Sequence, residues 1–432
     1  MLLLLLACAT PDAPAAFGEP CHVDGYDNEV RCGTVSSQGV DLRVVVVPSA
    51  STAPATPLFF LAGGPGQAAT GLVGAVMPAL RGVSKERDIV FVDQRGTGAS
   101  APLECEEPED TLAARFSTEL TDAGCLEGLD ADPTQFVTPV AMDDLDTVRA
   151  SLGYERIQLY GGSYGTRAAL VYARRHPEHL ERMVLDGVVP TTMVLYESFA
   201  EDGQRALDRL FDEAPQARAA VEAIEPMLPA QVEVAHPRTG EVETITLTRE
   251  LFHAQLRGLL YSTAVRALAP FALERAGQGD WSSFVALTTT LSDGVGISTG
   301  MHLAVVCSED VPRFTHPDLS HTAMGDTLVR LAEEGCEGWP VADLPEDYFE
   351  PVRWDGPVLL LSGELDPATP PRWAEEAALT LPGATHFVVS GTGHGTLSVP
   401  CVAEAIDRFL EGGEPELCSP QTPPFFIDGL GP

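Results

Sequence analysis

The sequence predicts an α/β fold, with a mostly parallel central sheet, helices on both of its faces and an inserted helical segment. Two observations carry that expectation. In both outer parts of the chain, short continuous apolar runs alternate with helical patterns; strands without polar alternation are buried on both faces, as parallel sheets require. Between about residues 191 and 350 the rhythm stops, and the chain turns mostly helical and rich in Ala, Leu, Glu and Arg.

Taken in order, Leu42 to Val47 is a β-branched run closed by Pro48, Leu58 to Leu61 a second apolar run, and Asp88 to Val92 a third. A helical pattern covers 141–152, where Leu145 and Val148 stand three apart and Leu152 four further on. Ile157 to Tyr160 reads as a short strand, 164–176 as a helix, and Met183 to Asp186 as the next strand. Inside the inserted segment, the Thr- and Val-rich stretch Gln231 to Thr248 reads as a hairpin. The strand–helix rhythm resumes with a strand at Val358 to Leu361, a helix at 372–381, a strand at His386 to Ser390 and a helix at 399–411. The expected organisation is a sheet core of residues 21–190 and 351–420, interrupted by a mainly helical cap at 191–350. An N-terminal segment of 1–20 precedes the core and a tail of 421–432 follows it, with Pro-rich irregular chain at 11–20 and 414–432.

The 432 residues include 26 Lys and Arg against 63 Asp and Glu, a formal net charge of -37. Such a field serves solubility first. It also repels nucleic-acid phosphates and anionic lipid head groups, so no nucleic-acid partner is expected. Lys85 is the only lysine, which leaves almost no room for lysine nucleophile or Schiff-base chemistry. The opening run Met1 to Leu6 is too short to span a bilayer and lacks the basic segment of a full secretion signal. Leu5-Leu6-Ala7-Cys8 resembles a bacterial lipobox, in which the cysteine is acylated; a disordered apolar tail is the alternative. With Cys8 set aside, the nine cysteines leave an even set that falls in near pairs: Cys21 and Cys32, Cys105 and Cys125, Cys307 and Cys336, Cys401 and Cys418. Pairing by proximity is one of many connectivities, and none of these cysteines has the CxxC spacing of a zinc site. Paired cysteines in a chain with a large core imply an oxidising compartment. The expected location is therefore outside the cytoplasm, periplasmic, extracellular or anchored to a bacterial surface by a lipid on Cys8.

Four motifs carry chemistry. Gly161-Gly162-Ser163-Tyr164-Gly165 contains Gly-x-Ser-x-Gly between an expected strand and an expected helix. A serine on so sharp a turn needs neighbours without side chains; a glycine-rich turn without chemistry is the alternative. Ala62-Gly63-Gly64-Pro65-Gly66 follows an apolar strand, where bare amides can approach a developing oxyanion. A phosphate loop is the competing reading, but neither GxGxxG nor GxxxxGK[ST] is present there. Asp366 closes the strand-end segment Leu361 to Pro367, with Glu364 as local competitor. His394 lies between glycines after the last strand, with His386 the weaker candidate. The roles follow from the chemistry: a serine hydroxyl is a poor nucleophile without a base, and a carboxylate on the far ring nitrogen fixes the histidine tautomer. The chain order Ser163, Asp366, His394 is that of the α/β hydrolases. No metal or organic cofactor is required.

These residues resemble one branch of that fold, the proline iminopeptidases and tripeptidyl aminopeptidases, and exported bacterial tripeptidyl aminopeptidase-like proteins in particular. The resemblance rests on Gly63 to Gly66, Asp93 to Gly98, Gly161 to Gly165, Cys307 to Asp310, Gly363 to Pro371 and Gly393 to Gly395, spanning about residues 40 to 411. It implies cleavage of short peptides from a free N-terminus, with oxyanion donors at Gly64 and Tyr164 and a buttressing Asp93–Gly98 loop. Proline iminopeptidases usually carry His where this chain has Ala62, which weakens a Pro-specific assignment. An aminopeptidase also needs a charge partner for the substrate ammonium. Glu309, helped by Asp310, is the candidate; a solvated acidic pair near a disulfide is the alternative. The expected function is thus a serine exopeptidase acting on a peptide. An esterase, lactonase or amidase for a small apolar substrate is second, and a non-catalytic binding lipoprotein third. Oligomeric state is left open.

Overall fold

The computed structural model describes residues 17–105, 111–116, 125–293 and 296–416. In chain order the strands are β1 (Glu19–Val23), β2 (Tyr26–Ser37), β3 (Val40–Val47), β4 (Leu58–Leu61), β5 (Ile89–Val92), β6 (Ile157–Gly162), β7 (Leu180–Asp186), β8 (Ala230–Ala235), β9 (Val242–Leu247), β10 (Val358–Gly363) and β11 (Ala384–Val389). One sheet runs β1-β2-β3-β5-β4-β6-β7-β10-β11, and β8 and β9 form the separate hairpin. The pairings from β1 to β5 are antiparallel, and those from β5 across to β11 are parallel.

The pleat explains the unbroken apolar runs. Phe59, Leu61, Val90, Val92 and Leu159 pack on one face against the helices Thr138–Ser151 and Tyr164–Arg175. Their neighbours Leu58, Phe60, Ile89, Phe91 and Tyr160 pack on the other, against the helix Pro400–Leu410. Successive residues on a strand point to opposite faces, so covering both faces demands apolar residues at every position. The segment between β7 and β10 is helical apart from the hairpin. Its helices include Glu197–Glu213, Arg249–Leu259, Thr263–Gly277 and Thr299–Glu309. It has its own apolar cluster around Leu210, Ile224, Phe252, Leu256 and Phe284.

Three expectations need correction. Glu19 and Pro20 are not irregular chain; they open β1, which pairs antiparallel with β2. Both strands are hard to see in the sequence because they lie at the sheet margin: Asp27, Asn28 and Glu29 are exposed, while Val30, Cys32, Val35 and Ser37 alone of β2 are buried. A proline at such an edge removes no interior ladder bond. Late in the chain, the helix expected at 372–381 ends at Ala378, and the strand expected from His386 starts at Ala384. Disulfides join Cys21 to Cys32, Cys105 to Cys125 and Cys307 to Cys336, with Cα separations of 5.9, 4.9 and 5.3 Å. Cys401 is also disulfide-bonded. Cys418 and Cys8 lie outside the described residues. Among the described residues, no helix is long and apolar enough to cross a membrane.

Candidate active site

Ser163 stands between β6 and the helix Tyr164–Arg175 with φ 53° and ψ −124°, a strained conformation for a residue with a Cβ. The flanking glycines are sterically required. A Cβ on Gly161 would collide with the Gly165 carbonyl, and one on Gly165 with the Leu61 carbonyl. The turn is held from below, where Ser163 N donates to Asp186 O at 2.8 Å. Thr166 Oγ1 donates to Ser163 O at 2.6 Å. The glycine loop after β4 lies against it: a Cβ on Gly63 would come within 3.3 Å of Ser163 Cβ. Gly64 takes φ +108°, which an L side chain rarely adopts.

The loops after β10 and β11 bring Asp366 and His394 together, with His394 Nδ1 2.8 Å from Asp366 Oδ2. Asp366 is itself fixed, since Oδ1 accepts from the Ala368 and Thr369 amides at 2.8 Å each. Its Oδ2 also accepts from Thr369 Oγ1 at 2.7 Å. An ionised carboxylate only accepts, so Nδ1 carries the proton and Nε2 is left as the basic nitrogen. Burial pushes the His394 imidazole down, but the charge of Asp366 and its hydrogen bond outweigh this and hold it above its ordinary value. Burial pushes Asp366 up, and the imidazole and its N–H donors more than reverse that. The histidine loop is anchored to the inserted segment: His394 N donates to Tyr261 O at 2.8 Å. Gly393 N donates to Thr263 Oγ1 at 2.9 Å, and the Tyr261 ring meets the imidazole edge-on at 5.1 Å.

The competitors do other work. Glu364 accepts from Ser390 Oγ and Gly391 N at 2.8 and 2.9 Å, pinning the turn after β11. His386 Nε2 meets Ser362 Oγ at 3.0 Å. The Asp93–Gly98 loop braces the helix before β6, through a buried Arg95–Asp144 pair with contacts of 2.5 and 2.7 Å.

Ser163, His394, Gly64 and Tyr164 border one cavity of about 590 Å³, whose apolar wall includes Val189, Leu195, Phe199 and Ile297. Glu309 and Asp310 do not line it, which corrects the expectation that they anchor a substrate amine. Both are fully buried. Glu309 accepts from Thr138 N and Oγ1 at 2.7 and 3.0 Å and from Tyr348 OH. Asp310 forms a two-pronged pair with Arg167 at 2.9 and 3.1 Å and accepts from Leu195 N at 2.8 Å. Their charges are consumed inside the protein. The acid that does border the cavity, Asp186, accepts from Tyr160 OH, Thr396 N, Thr396 Oγ1 and Leu397 N within 3.0 Å.

One cavity residue escaped the sequence reading. His302 Nδ1 lies 3.0 Å from Pro65 O, and its Nε2 meets Tyr196 OH at 2.5 Å. A carbonyl only accepts, so Nδ1 bears the hydrogen and Nε2 accepts from the tyrosine. Burial, the largest influence, pushes this imidazole down and keeps it neutral. His302 thus ties the glycine loop to the inserted segment. No motif marks it, because its partner lies in a loop more than half the core away in sequence. Asp146, His176 and His179 form the one group with metal-ligand potential among the described residues, their ligand atoms within 4.8 Å of one another. Asp146 is already paired with Arg149 at 2.7 Å.

Family models match both outer parts of the chain. A family model described as alpha/beta hydrolase fold matches residues 56–223, which include Ser163. A second, described as TAP-like protein, matches residues 321–418, which include Asp366 and His394. The chain is a hydrolase of the α/β-hydrolase fold. Within that fold its sequence is similar to tripeptidyl aminopeptidases and proline iminopeptidases. It is 25% identical over 392 residues to a tripeptidyl aminopeptidase of Streptomyces lividans, covering 79% of this chain and 72% of the relative. It is 31% identical over 134 residues to a proline iminopeptidase of Neisseria meningitidis, covering 31% of this chain and 32% of that one. A solved proline iminopeptidase from Mycobacterium smegmatis superposes with a TM-score of 0.48 at 17% identity, covering 88% of this chain and 98% of that chain.

Proposed function

We propose that the protein is an exported serine exopeptidase that removes short fragments from the free N-terminus of peptides, with Ser163 as nucleophile, His394 as base and Asp366 as orienter. The observation that carries this reading is the 2.8 Å His394–Asp366 bond beside a cavity that also borders Ser163. Ser163 Oγ attacks the scissile carbonyl while His394 Nε2 takes its proton. The carbonyl oxygen, now negative, meets the Gly64 and Tyr164 amides. The C–N bond breaks as His394 returns the proton to the leaving amine, and water then hydrolyses the acyl-serine by the same route. Ser163 and His394 border the same cavity, and such a pair commonly tightens into a hydrogen bond only in the complex with substrate.

The peptidase part rests on similarity to tripeptidyl aminopeptidases over most of the chain. The exported part rests on the disulfides, with Cys8 as the proposed lipid attachment. One observation favours a second reading, an esterase for a small apolar acyl group: the cavity wall is mainly apolar and its one carboxylate among the described residues, Asp186, is already saturated. A panel of peptide amides with free and acetylated N-termini, alongside a small aliphatic ester, separates the two. Cleavage confined to free-amine peptides supports the exopeptidase. Equal or better turnover of blocked peptides and esters overturns it.

A further inference from the structure

A second groove, of about 540 Å³, meets the first cavity at His394. The two share Tyr261, His394, Gly395 and Ser398. Their difference is chemical. Ser163, Gly64 and Tyr164 border only the first cavity, whereas of the proposed catalytic residues the groove touches His394 alone. The groove runs between the start of the helix Thr263–Gly277 and the Ser390–Pro400 turn. Its walls are hydroxyl-bearing, with Ser262, Thr263, Ser390 and Thr392 and, among the described residues, no carboxylate, lysine or arginine.

We infer that this groove is the binding site for the leaving segment of a peptide substrate, and this rests on the reading of Ser163 and His394 given above. In acyl transfer the attacked carbonyl must sit at the serine and the oxyanion amides, so the acyl part occupies the first cavity. The departing nitrogen must sit where His394 Nε2 can hand it a proton, so the chain beyond it runs into the space that touches His394 but not Ser163. An uncharged hydroxyl lining suits main-chain amides of any sequence and imposes little selection by side-chain charge. The ligand class is therefore a polypeptide of several residues past the scissile bond, and the acyl cavity rather than the groove selects the substrate.

By microscopic reversibility, a peptide in the groove also attacks the acyl-enzyme in place of water. Its α-amine adds to the acyl carbon as His394 takes the amine proton; the Ser163–acyl C–O bond then breaks as His394 returns that proton to Ser163 Oγ, leaving the new peptide bond. The test uses the full chain and the p-nitrophenyl ester of Ala-Ala-Phe as acyl donor, with a free tetrapeptide amide as acceptor. The expected result is a heptapeptide product whose fraction saturates with acceptor concentration. Ala264, an exposed groove residue, offers the block: in Ala264→Trp the saturation is expected to weaken about tenfold relative to ester turnover by the same variant. A second measurement needs no variant. With the acyl part constant, kcat/KM should climb as the leaving segment grows from one residue to four, then level off. Ester turnover without saturable aminolysis and without any length dependence overturns the groove assignment. No ester turnover and no acylation of Ser163 overturns instead the reading on which it rests.

Discussion

Replacing Asp310 with alanine tests whether the acidic pair after Val306 is scaffold or binding site. Arg167 and Asp310 are each buried to 1% side-chain exposure or less. The carboxylate takes two guanidinium N–H groups at 2.9 and 3.1 Å and the Leu195 amide at 2.8 Å. In Asp310→Ala the guanidinium keeps its bond to Met193 O at 2.8 Å and has Glu309 only at 3.7 Å. Breaking a buried pair by removing one partner costs about 3–5 kcal/mol, because a desolvated charge is left behind. The surviving Glu309 contact places the expected loss near the low end, about 3 kcal/mol. The assay is urea unfolding followed by tryptophan fluorescence, paired with kinetics on a free-amine peptide and on a neutral ester. The expected outcome is a large fall in the unfolding midpoint, with both substrates affected alike at temperatures where the variant is folded. A loss below about 1 kcal/mol, with KM raised for the free-amine peptide alone, would refute the scaffold argument and restore the pair as an amine anchor.

Other expectations follow from the same geometry. Only neutral His394 accepts the serine proton, so kcat/KM for a small ester should rise with pH about a midpoint above 6.5, the ordinary imidazole value. Asp366→Asn removes the charge that raises this pKa; the midpoint should move down while kcat drops by about 10⁴, and an unmoved midpoint would contradict the pairing. The same raised pKa is linked to stability: its contribution is complete below the unfolded value and fades as the pH climbs through the folded one, which unfolding midpoints across pH 5–9 would track (~ range set by ordinary imidazole titration). His302→Phe removes the hydrogen bond to Pro65 O, and kcat is expected to fall about tenfold with KM little changed; a change in KM alone would assign His302 to substrate binding instead.

The strands of the parallel region were legible because each is buried on both faces and so apolar at every position, as in Leu58 to Leu61 and Val358 to Leu361. The serine turn was legible because local sterics write themselves into sequence: Gly161 and Gly165 face backbone carbonyls that no Cβ can approach. Asp366 and His394 were legible by their place at strand ends, each next to glycine or proline. What stayed hidden depends on contacts between distant segments. β1 and β2 carry edge polarity, and no local pattern separates that from a loop. Glu309 and Asp310 looked available because the cation that pairs directly with them is not local; Arg167 comes from the helix after the serine, 143 positions from Asp310. His302 was overlooked for the same reason, since its hold on Pro65 spans 237 positions. That contact also supplies a histidine brace to a glycine loop that lacks one at Ala62.

The most direct measurement is covalent labelling of the full chain with a fluorophosphonate probe, followed by peptide mass mapping. A single adduct on the peptide containing Ser163 is expected. It should be lost in Ser163→Ala together with turnover, the latter by about 10⁴ to 10⁶, and slowed in His394→Ala. Labelling at another residue, or a Ser163→Ala protein that still hydrolyses substrate at the original rate, would contradict it.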